Sequence, residues 1–246
     1  MDTPRVSVVI PALNEEATVA HVVRAACASC ADEVIVVDSD STDATAATAR
    51  AAGATVYNWR DIAPDIPVQP GKGEALWRGV LQARGEIVVF LDADVTTVEP
   101  GWVDGLAGAF VDKRVHLVKA TYARALDGSP RGGGRVTELT AKPLLRLLFP
   151  QIPLLDQPLA GEYAIRRSTA LEVPFVAGYG VEAGLLIDVS TLHGPSSLTQ
   201  IPLGQKAHRN RPLHELSAMA ETVAATILAR AGVGDVPQRQ PWAELR

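Results

Sequence analysis

Four runs of consecutive β-branched and apolar residues set the limits on this fold: RVSVVI at 5–10, EVIVV at 33–37, TVYN at 55–58 and EIVVFL at 86–91. Strands of continuous Val and Ile have no face suited to water, so both faces must be covered. The segments between them, 15–31, 41–52 and 74–84, are patterned as helices. Ala75, Leu76, Val80 and Leu81 share one face of the third, and Gly53 and Gly85 close the second and third. A further helix starts within 102–110. Strands alternating with helices predict βαβ units, a mainly parallel central sheet and the α/β class. Pro11 is expected to end the first strand.

The second half reads differently. A strand at 115–122 leads into a Gly/Pro/Arg-rich loop at 128–134, and a helix at 137–148 is interrupted by Pro143. A long helix over 212–231 follows, and the end from Gly232 is expected to be a mobile tail. A length of 246 residues allows one compact domain, or a catalytic core with small attached elements.

Composition excludes several classes. With 47% apolar and 21% charged residues the chain is globular, and its net charge of −5 argues against a nucleic-acid partner. Its longest apolar stretches, such as 87–91, fall far short of the roughly 20 residues of a membrane helix. No secretory signal is expected, because the apolar run 6–10 is short, follows Asp2 and is cut by Pro11. Cys27 and Cys30 form one C-x-x-C with no second pair to complete a zinc site. They fall near the end of a helix, away from the terminus that acidifies thiols, and read as ordinary small residues of a reducing, cytoplasmic protein.

In open α/β sheets ligands bind beyond the carboxyl ends of the strands. Three such ends are polar here: Pro11-Ala12-Leu13-Asn14-Glu15-Glu16, Asp38-Ser39-Asp40-Ser41-Thr42-Asp43 and Asp92-Ala93-Asp94. An acid pair at a strand tip can hold a hard divalent cation, whereas acids ahead of a helix also serve as caps. Pro70-Gly71-Lys72-Gly73-Glu74 allows close backbone approach and aims an ammonium at a phosphate. Its spacing is not that of a Walker loop, and no G-x-G-x-x-G follows the first strand, which disfavours NAD. Arg131-Gly132-Gly133-Gly134-Arg135-Val136-Thr137 is a second anion candidate, with Thr137 at the start of a helix. A flexible linker is the alternative reading of that loop. In Lys206-Ala207-His208-Arg209-Asn210-Arg211, cations on both sides of His208 favour its neutral, metal-ligating imidazole. His21, His116, His193 and His214 have no such setting.

The series PALNEE, VVDSDSTDAT, QPGKGEALW, FLDAD, VHLVKATY, GGGRVTEL, QPLAGEYA, PFVAGYGVE and AHRNRPL, in order from about residue 5 to residue 232, resembles the glucosyl-3-phosphoglycerate synthases. These are retaining GT-A glycosyltransferases that move glucose from a nucleoside-diphosphate glucose, usually UDP-glucose, to 3-phosphoglycerate with Mg²⁺. Mannosyl-3-phosphoglycerate synthases share much of the pattern. The resemblance implies a GT-A-type fold with a nucleotide-sugar-binding half over 1–122, a smaller acceptor-binding part over 123–231 and the tail 232–246. It implies donor contacts from Pro11, Ala12, Leu13, Asn14, Glu15, Ser39, Lys72, Asp92, Ala93, Tyr179, Glu182, Arg209 and Arg211. Asp94 and His208 would hold the Mg²⁺, for which Mn²⁺ could substitute. Gly134, Arg135, Val136, Thr137 and Asn210 would hold the acceptor, while Lys72, Asp94 and Glu182 would carry the chemistry. The partners implied are small molecules, with no membrane and room for a homodimer. The sequence departs from the family at Asn14, where Asp is frequent, and at Asp40 and Ala160, where Gly is frequent. The terminal extensions of typical members are also short here.

Breaking the anomeric C–O bond leaves a diphosphate whose charge a divalent cation offsets. The acceptor loop would supply proximity. No carboxylate is placed by sequence as an obvious nucleophile, so a front-face reaction fits better than double displacement, with Glu182 as nucleophile or base the minority option. A sugar-phosphate nucleotidyltransferase would carry a Gly-rich loop where PALNEE stands. A non-catalytic binding protein is the other rival, opposed by Lys72, Asp94, Arg135 and His208 occurring together.

Overall fold

The computed structural model describes residues 4–124, 134–206 and 213–245. Its first half follows the βαβ expectation: β1 (Val6–Ala12), α1 (Val19–Cys27), β2 (Glu33–Asp38), α2 (Thr45–Ala51), β3 (Thr55–Asn58), α3 (Lys72–Gln82), β4 (Ile87–Phe90) and α4 (Pro100–Gly108). The second half contributes β5 (Leu117–Arg124), α5 (Lys142–Leu148), β6 (Tyr163–Arg166), α6 (Arg167–Glu172), β7 (Phe175–Val176), α7 (Val181–His193), β8 (Leu198–Lys206), α8 (Leu213–Arg230) and β9 (Gln238–Arg239). Seven strands form one sheet in the order β3-β2-β1-β4-β6-β5-β8, and β7 pairs with β9 in a separate ribbon. The large sheet therefore runs across the division expected at residue 122.

Within it, β6 alone is antiparallel to both neighbours, and every other pairing is parallel. The carboxyl ends of β1, β2, β4, β5 and β8 thus share one edge with the amino end of β6. Period-two alternation sorts the strand side chains onto two cores. Val6, Val8, Ile10, Val34, Val36, Ile87 and Val89 pack with α1 and α4, whereas Val9, Ile35, Val37, Val88 and Phe90 pack with α3 and α7. Both faces are covered, as continuous Val and Ile require.

Several boundaries differ from expectation for identifiable reasons. β1 continues through Pro11 to Ala12, because β4 pairs only with Val6–Val9. Beyond Val9 the strand has β2 alone as a neighbour, so the missing N–H of Pro11 costs no ladder bond on that side. α1 starts at Val19 rather than 15, since the backbone N–H groups of Asn14, Glu15 and Glu16 donate across to Ser41 Oγ, Thr45 Oγ1 and Asp43 Oδ2. The same zipped loops delay α2 to Thr45. Pro143 does not interrupt its helix. A π-helical turn over Thr137–Ala141 runs into α5, and the wider turn relieves the clash of the proline ring with the preceding turn.

The end of the chain was expected to be mobile and instead docks. Trp242 is buried and stacks on Trp77 with centroids 3.8 Å apart, and β9 pairs with β7. Cys27 ends α1 and Cys30 lies just beyond it; both are exposed free thiols, and burial of the sulfur with the nearby Asp104 pushes Cys30 up to about 11. Such thiols are poor nucleophiles. No helix among the described residues is long and apolar enough to cross a membrane.

α3 and β7 approach so closely that a Cβ on Gly73 would sit 2.0 Å from the carbonyl oxygen of Val176. Gly73→Ala is expected to destabilise the protein by about 1–3 kcal/mol, as overpacking against backbone does. Urea unfolding measures it, and an unchanged midpoint would show that the contact yields freely.

Candidate active site

The shared edge of the sheet opens into a cavity of about 540 Å³. Pro11, Ala12, Leu13 and Glu15 line it from the end of β1, Ser39 from β2, and Asp92, Ala93 and Asp94 from β4. Lys72 enters from the first turn of α3, and Tyr179 and Glu182 from the turn that opens α7. Gly134, Arg135, Val136 and Thr137 form a further wall, with Gly134 at φ +84° and its carbonyl accepting from Glu138 N at 2.9 Å. Fifteen expected site residues, scattered from 11 to 182, thereby face one space.

Asn14 does not line it. Its side chain turns away to accept from Thr42 N at 2.8 Å, and its left-handed backbone, φ 56°, shapes the loop instead. Asp40, at φ 65°, is likewise a loop-shaping residue, paired with Arg60 at 2.7 Å. His208, Arg209, Asn210 and Arg211 lie outside the described residues.

The floor of the cavity is a chain of charges, buried at Glu162, Lys206 and Glu182 and half-buried at Asp92 and Lys72. Lys72 Nζ donates to Asp92 Oδ1 at 2.5 Å and to Glu182 Oε1 at 2.8 Å. Lys206 Nζ lies 2.6 Å from Glu162 Oε1 and 3.5 Å from Asp92 Oδ2. Burial opposes ionisation of Asp92, but the two ammonium groups prevail and hold its carboxyl well below the usual carboxylate range. Burial would lower Lys72 and Lys206, yet Asp92 with Glu182 raises the first and Glu162 with Asp92 the second. Asp92 is therefore engaged by lysines on both oxygens, and Lys72 is aimed at carboxylates within the wall. The glycine-flanked setting of Lys72 leads one to expect an ammonium aimed at a phosphate; here it bridges Asp92 and Glu182.

Asp94 differs from Asp92. It is exposed at the mouth of the cavity. Nearby Glu15 has its carboxyl pushed up by burial and then by the negative charges of Asp94, Asp43 and Asp92. Among the described residues no three acids, histidines or cysteines stand close enough together to hold a metal ion. Asp94 offers one oxygen donor of the kind a hard divalent cation takes, and the rest of a shell would have to come from groups outside the described residues or from ligand oxygens.

Sequence reasoning missed Trp59, Tyr122, Leu159, Gly161, Lys206 and the α8 side chains Leu216, Met219 and Val223, all on the cavity wall. Lys206 was noted only as part of a polar cluster. Gly161 matters sterically: a Cβ there would lie 2.0 Å from Asp92 Oδ2. Lys119, beneath the floor, donates to the carbonyl of Ala160 at 2.6 Å and lies 4.1 Å from the ring centre of Tyr163.

Burial pushes the Lys119 ammonium down to about 7 despite the attraction of Glu182 and Glu162. An unfolded lysine titrates near 10.4, so between about pH 7 and 10 the unfolded chain holds a proton that the folded chain has released. This group therefore makes stability rise with pH across that window. Lys119→Met is expected to abolish the rise, and urea unfolding of both proteins at several pH values checks it. Parallel pH slopes would refute the assignment.

Comparison with known proteins gives this site its relatives. Residues 7–172 match the family model described as glycosyl transferase family 2. A glucosyl-3-phosphoglycerate synthase of Mycolicibacterium smegmatis is 48% identical over 238 residues, covering 94% of this chain and 78% of the relative. The synthase of that name from Mycobacterium tuberculosis is 47% identical over 241 residues, covering 94% of this chain and 74% of the relative. A crystal structure of the M. tuberculosis protein with Mn²⁺, UDP-glucose and phosphoglyceric acid superposes with a TM-score of 0.91 at 43% identity, covering 99% of this chain and 92% of that one. Structures of the same protein hold Mn²⁺, UDP and glucosyl-3-phosphoglycerate, or Mg²⁺ and UDP, at the same TM-score and 42% identity, with the same coverage.

Proposed function

Because the chain belongs to glycosyl transferase family 2, on its glucosyl-3-phosphoglycerate synthase branch, we propose that it transfers glucose from UDP-glucose to the 2-hydroxyl of 3-phosphoglycerate. The observation that carries this reading is the single cavity in which the strand-tip residues Pro11–Glu15, Ser39 and Asp94 face the loop Gly134–Thr137. A donor and an anionic acceptor can meet there without leaving the site.

Pro11, Ala12, Leu13, Glu15 and Ser39 take the uridine, at the sheet edge where α/β folds bind nucleotides. Asp94 and His208 are assigned to Mg²⁺, with Mn²⁺ as an alternative, and the ion when bound offsets charge on the diphosphate leaving group. Ala93, Arg209 and Arg211 complete the donor side, and Asp92 supports it by fixing Lys72. Glu182, tied to Lys72 at 2.8 Å, orients the sugar hydroxyls together with Tyr179. That ion pair holds the Glu182 carboxylate in the wall and lowers its nucleophilicity, which favours front-face transfer over a covalent intermediate on this residue. Gly134, Arg135, Val136, Thr137 and Asn210 receive the carboxylate and phosphate of the acceptor, which supplies proximity to the anomeric carbon. A cytoplasmic setting accords with the exposed free thiols of Cys27 and Cys30.

The reading is tested by UDP release from UDP-glucose and Mg²⁺ with and without 3-phosphoglycerate, with GDP-mannose as the competing donor. Release that ignores 3-phosphoglycerate would overturn it, and light scattering of the same preparation tests the homodimer. Asp94→Ala is expected to abolish transfer while leaving the unfolding midpoint unchanged, because the side chain is exposed and outside the core. Turnover at the parental rate in ordinary Mg²⁺ would remove Asp94 from the metal site.

Arg135→Ala should raise KM for 3-phosphoglycerate by about ten- to a hundredfold and spare UDP affinity, the loss of one charge-assisted bond being worth roughly 1.5–3 kcal/mol. Weakened UDP binding with an unchanged acceptor KM would reverse the division between donor and acceptor walls.

A further inference from the structure

The pair Lys72–Glu182 spans a seam between two segments that glycines bring into backbone contact. Lys72 begins α3, and Glu182 follows directly from β7 through the turn at Gly178–Gly180. Across the seam, Gly73 meets the carbonyl of Val176, and Gly71 meets the backbone of Gly178. Glycines permit that closeness but offer no side chain to hold it.

We propose that Arg239, on the C-terminal strap, is a positioning residue for the transfer reaction, fastening the first turn of α3 to β7 and so setting Lys72 against Glu182. The inference rests on the proposed reaction. Arg239 Nε donates to Glu74 Oε2 at 2.7 Å and Nη2 to Glu74 Oε1 at 2.9 Å, a two-pronged pair on a buried carboxylate two residues beyond Lys72. Its own strand joins β7 in the same place, with Arg239 opposite Phe175 and Gln238 opposite Val176, and Ala177 N donates to Pro237 O at 3.0 Å. One residue thus holds α3 with its side chain and β7 with its backbone. The strap is anchored further on by Trp242, whose Nε1 donates to the carbonyl of Trp77 at 3.2 Å while Trp77 Nε1 donates to Gln240 O at 3.2 Å. Arg78 Nε also reaches Glu74, at 2.7 Å, so the carboxylate keeps one cation when Arg239 is removed. That makes the fold able to survive the loss while the tie across the seam does not.

The test uses the full chain with Arg239→Met and the conservative variant Arg239→Lys. For each, kcat and KM are measured by UDP release, UDP affinity by calorimetry, and backbone order by hydrogen exchange of peptides covering 174–183. In Arg239→Met, kcat is expected to fall about ten- to a hundredfold, the scale of a small misplacement of reacting groups, with UDP affinity nearly unchanged and faster exchange over 174–183. Arg239→Lys keeps a cation against Glu74 but offers one point donor in place of the two-pronged fork, so its melting temperature should stay near the parental value while kcat stays low. A merely structural role would make kcat follow the melting temperature in both variants. Parental kcat in either variant, or unchanged exchange over 174–183, would overturn the proposal. A parent protein inactive with UDP-glucose and 3-phosphoglycerate would instead refute the reaction, and the exchange measurement would still decide whether the strap orders the seam.

Discussion

Everything in the site is arranged around the carboxylate of Asp92. It receives Lys72 on one oxygen at 2.5 Å and faces Lys206 at 3.5 Å on the other, and those lysines extend the chain to Glu182 and Glu162. Charges taken out of water need partners in good geometry, and removing one member leaves the rest uncompensated. The network therefore ties β4, α3, α7, β6 and β8 together at the sheet edge where the cavity opens. Its geometry depends on an atom that is absent: with any side chain at Gly161, the Asp92 carboxylate could not occupy its place.

The single reversed strand makes this possible. Because β6 runs against β4 and β5, its first residues arrive at the edge where every parallel strand ends. Glu162 and Gly161 reach the network from that side, and Tyr163 and Ala160 provide the ring and carbonyl beside Lys119. A wholly parallel sheet would have sent the same residues to the opposite end.

The parts of this design visible in sequence are those with a local signature. Continuous Val and Ile announced β1, β2 and β4, because packing on two faces leaves little room for polar positions, and the edge strand β3 was found with its bounds although none of its residues is buried. The polar tips of β1, β2 and β4 announced the cavity by the same topology. Lys206 and Glu162 carry no such signature. They are one lysine and one glutamate 44 residues apart, and only the order β6-β5-β8 brings them to 2.6 Å. The docking of the chain end was hidden for a similar reason: GVGDVPQRQPWAELR looks like a tail by composition, and its anchors, Arg239 and Trp242, act on Glu74 and Trp77, 165 residues away in the chain.

Two left-handed positions shape the loops at the tips of β1 and β2. Asn14 and Asp40 both adopt left-handed backbone, at φ 56° and 65°, conformations that Asn, Asp and Gly tolerate and most residues do not. Aspartate at position 40 therefore takes the left-handed turn and adds a side chain that binds Arg60 and Asn58. The turn at 14 lets Asn14, Glu15 and Glu16 zip onto Ser41, Thr45 and Asp43, so the loops after β1 and β2 are joined by three hydrogen bonds. What distinguishes the two kinds of acid at the edge then follows from burial. Glu182 is buried and Asp92 half-buried, and both are paired with Lys72. Asp94 is instead exposed at the mouth, near Glu15, and makes no part of that paired network.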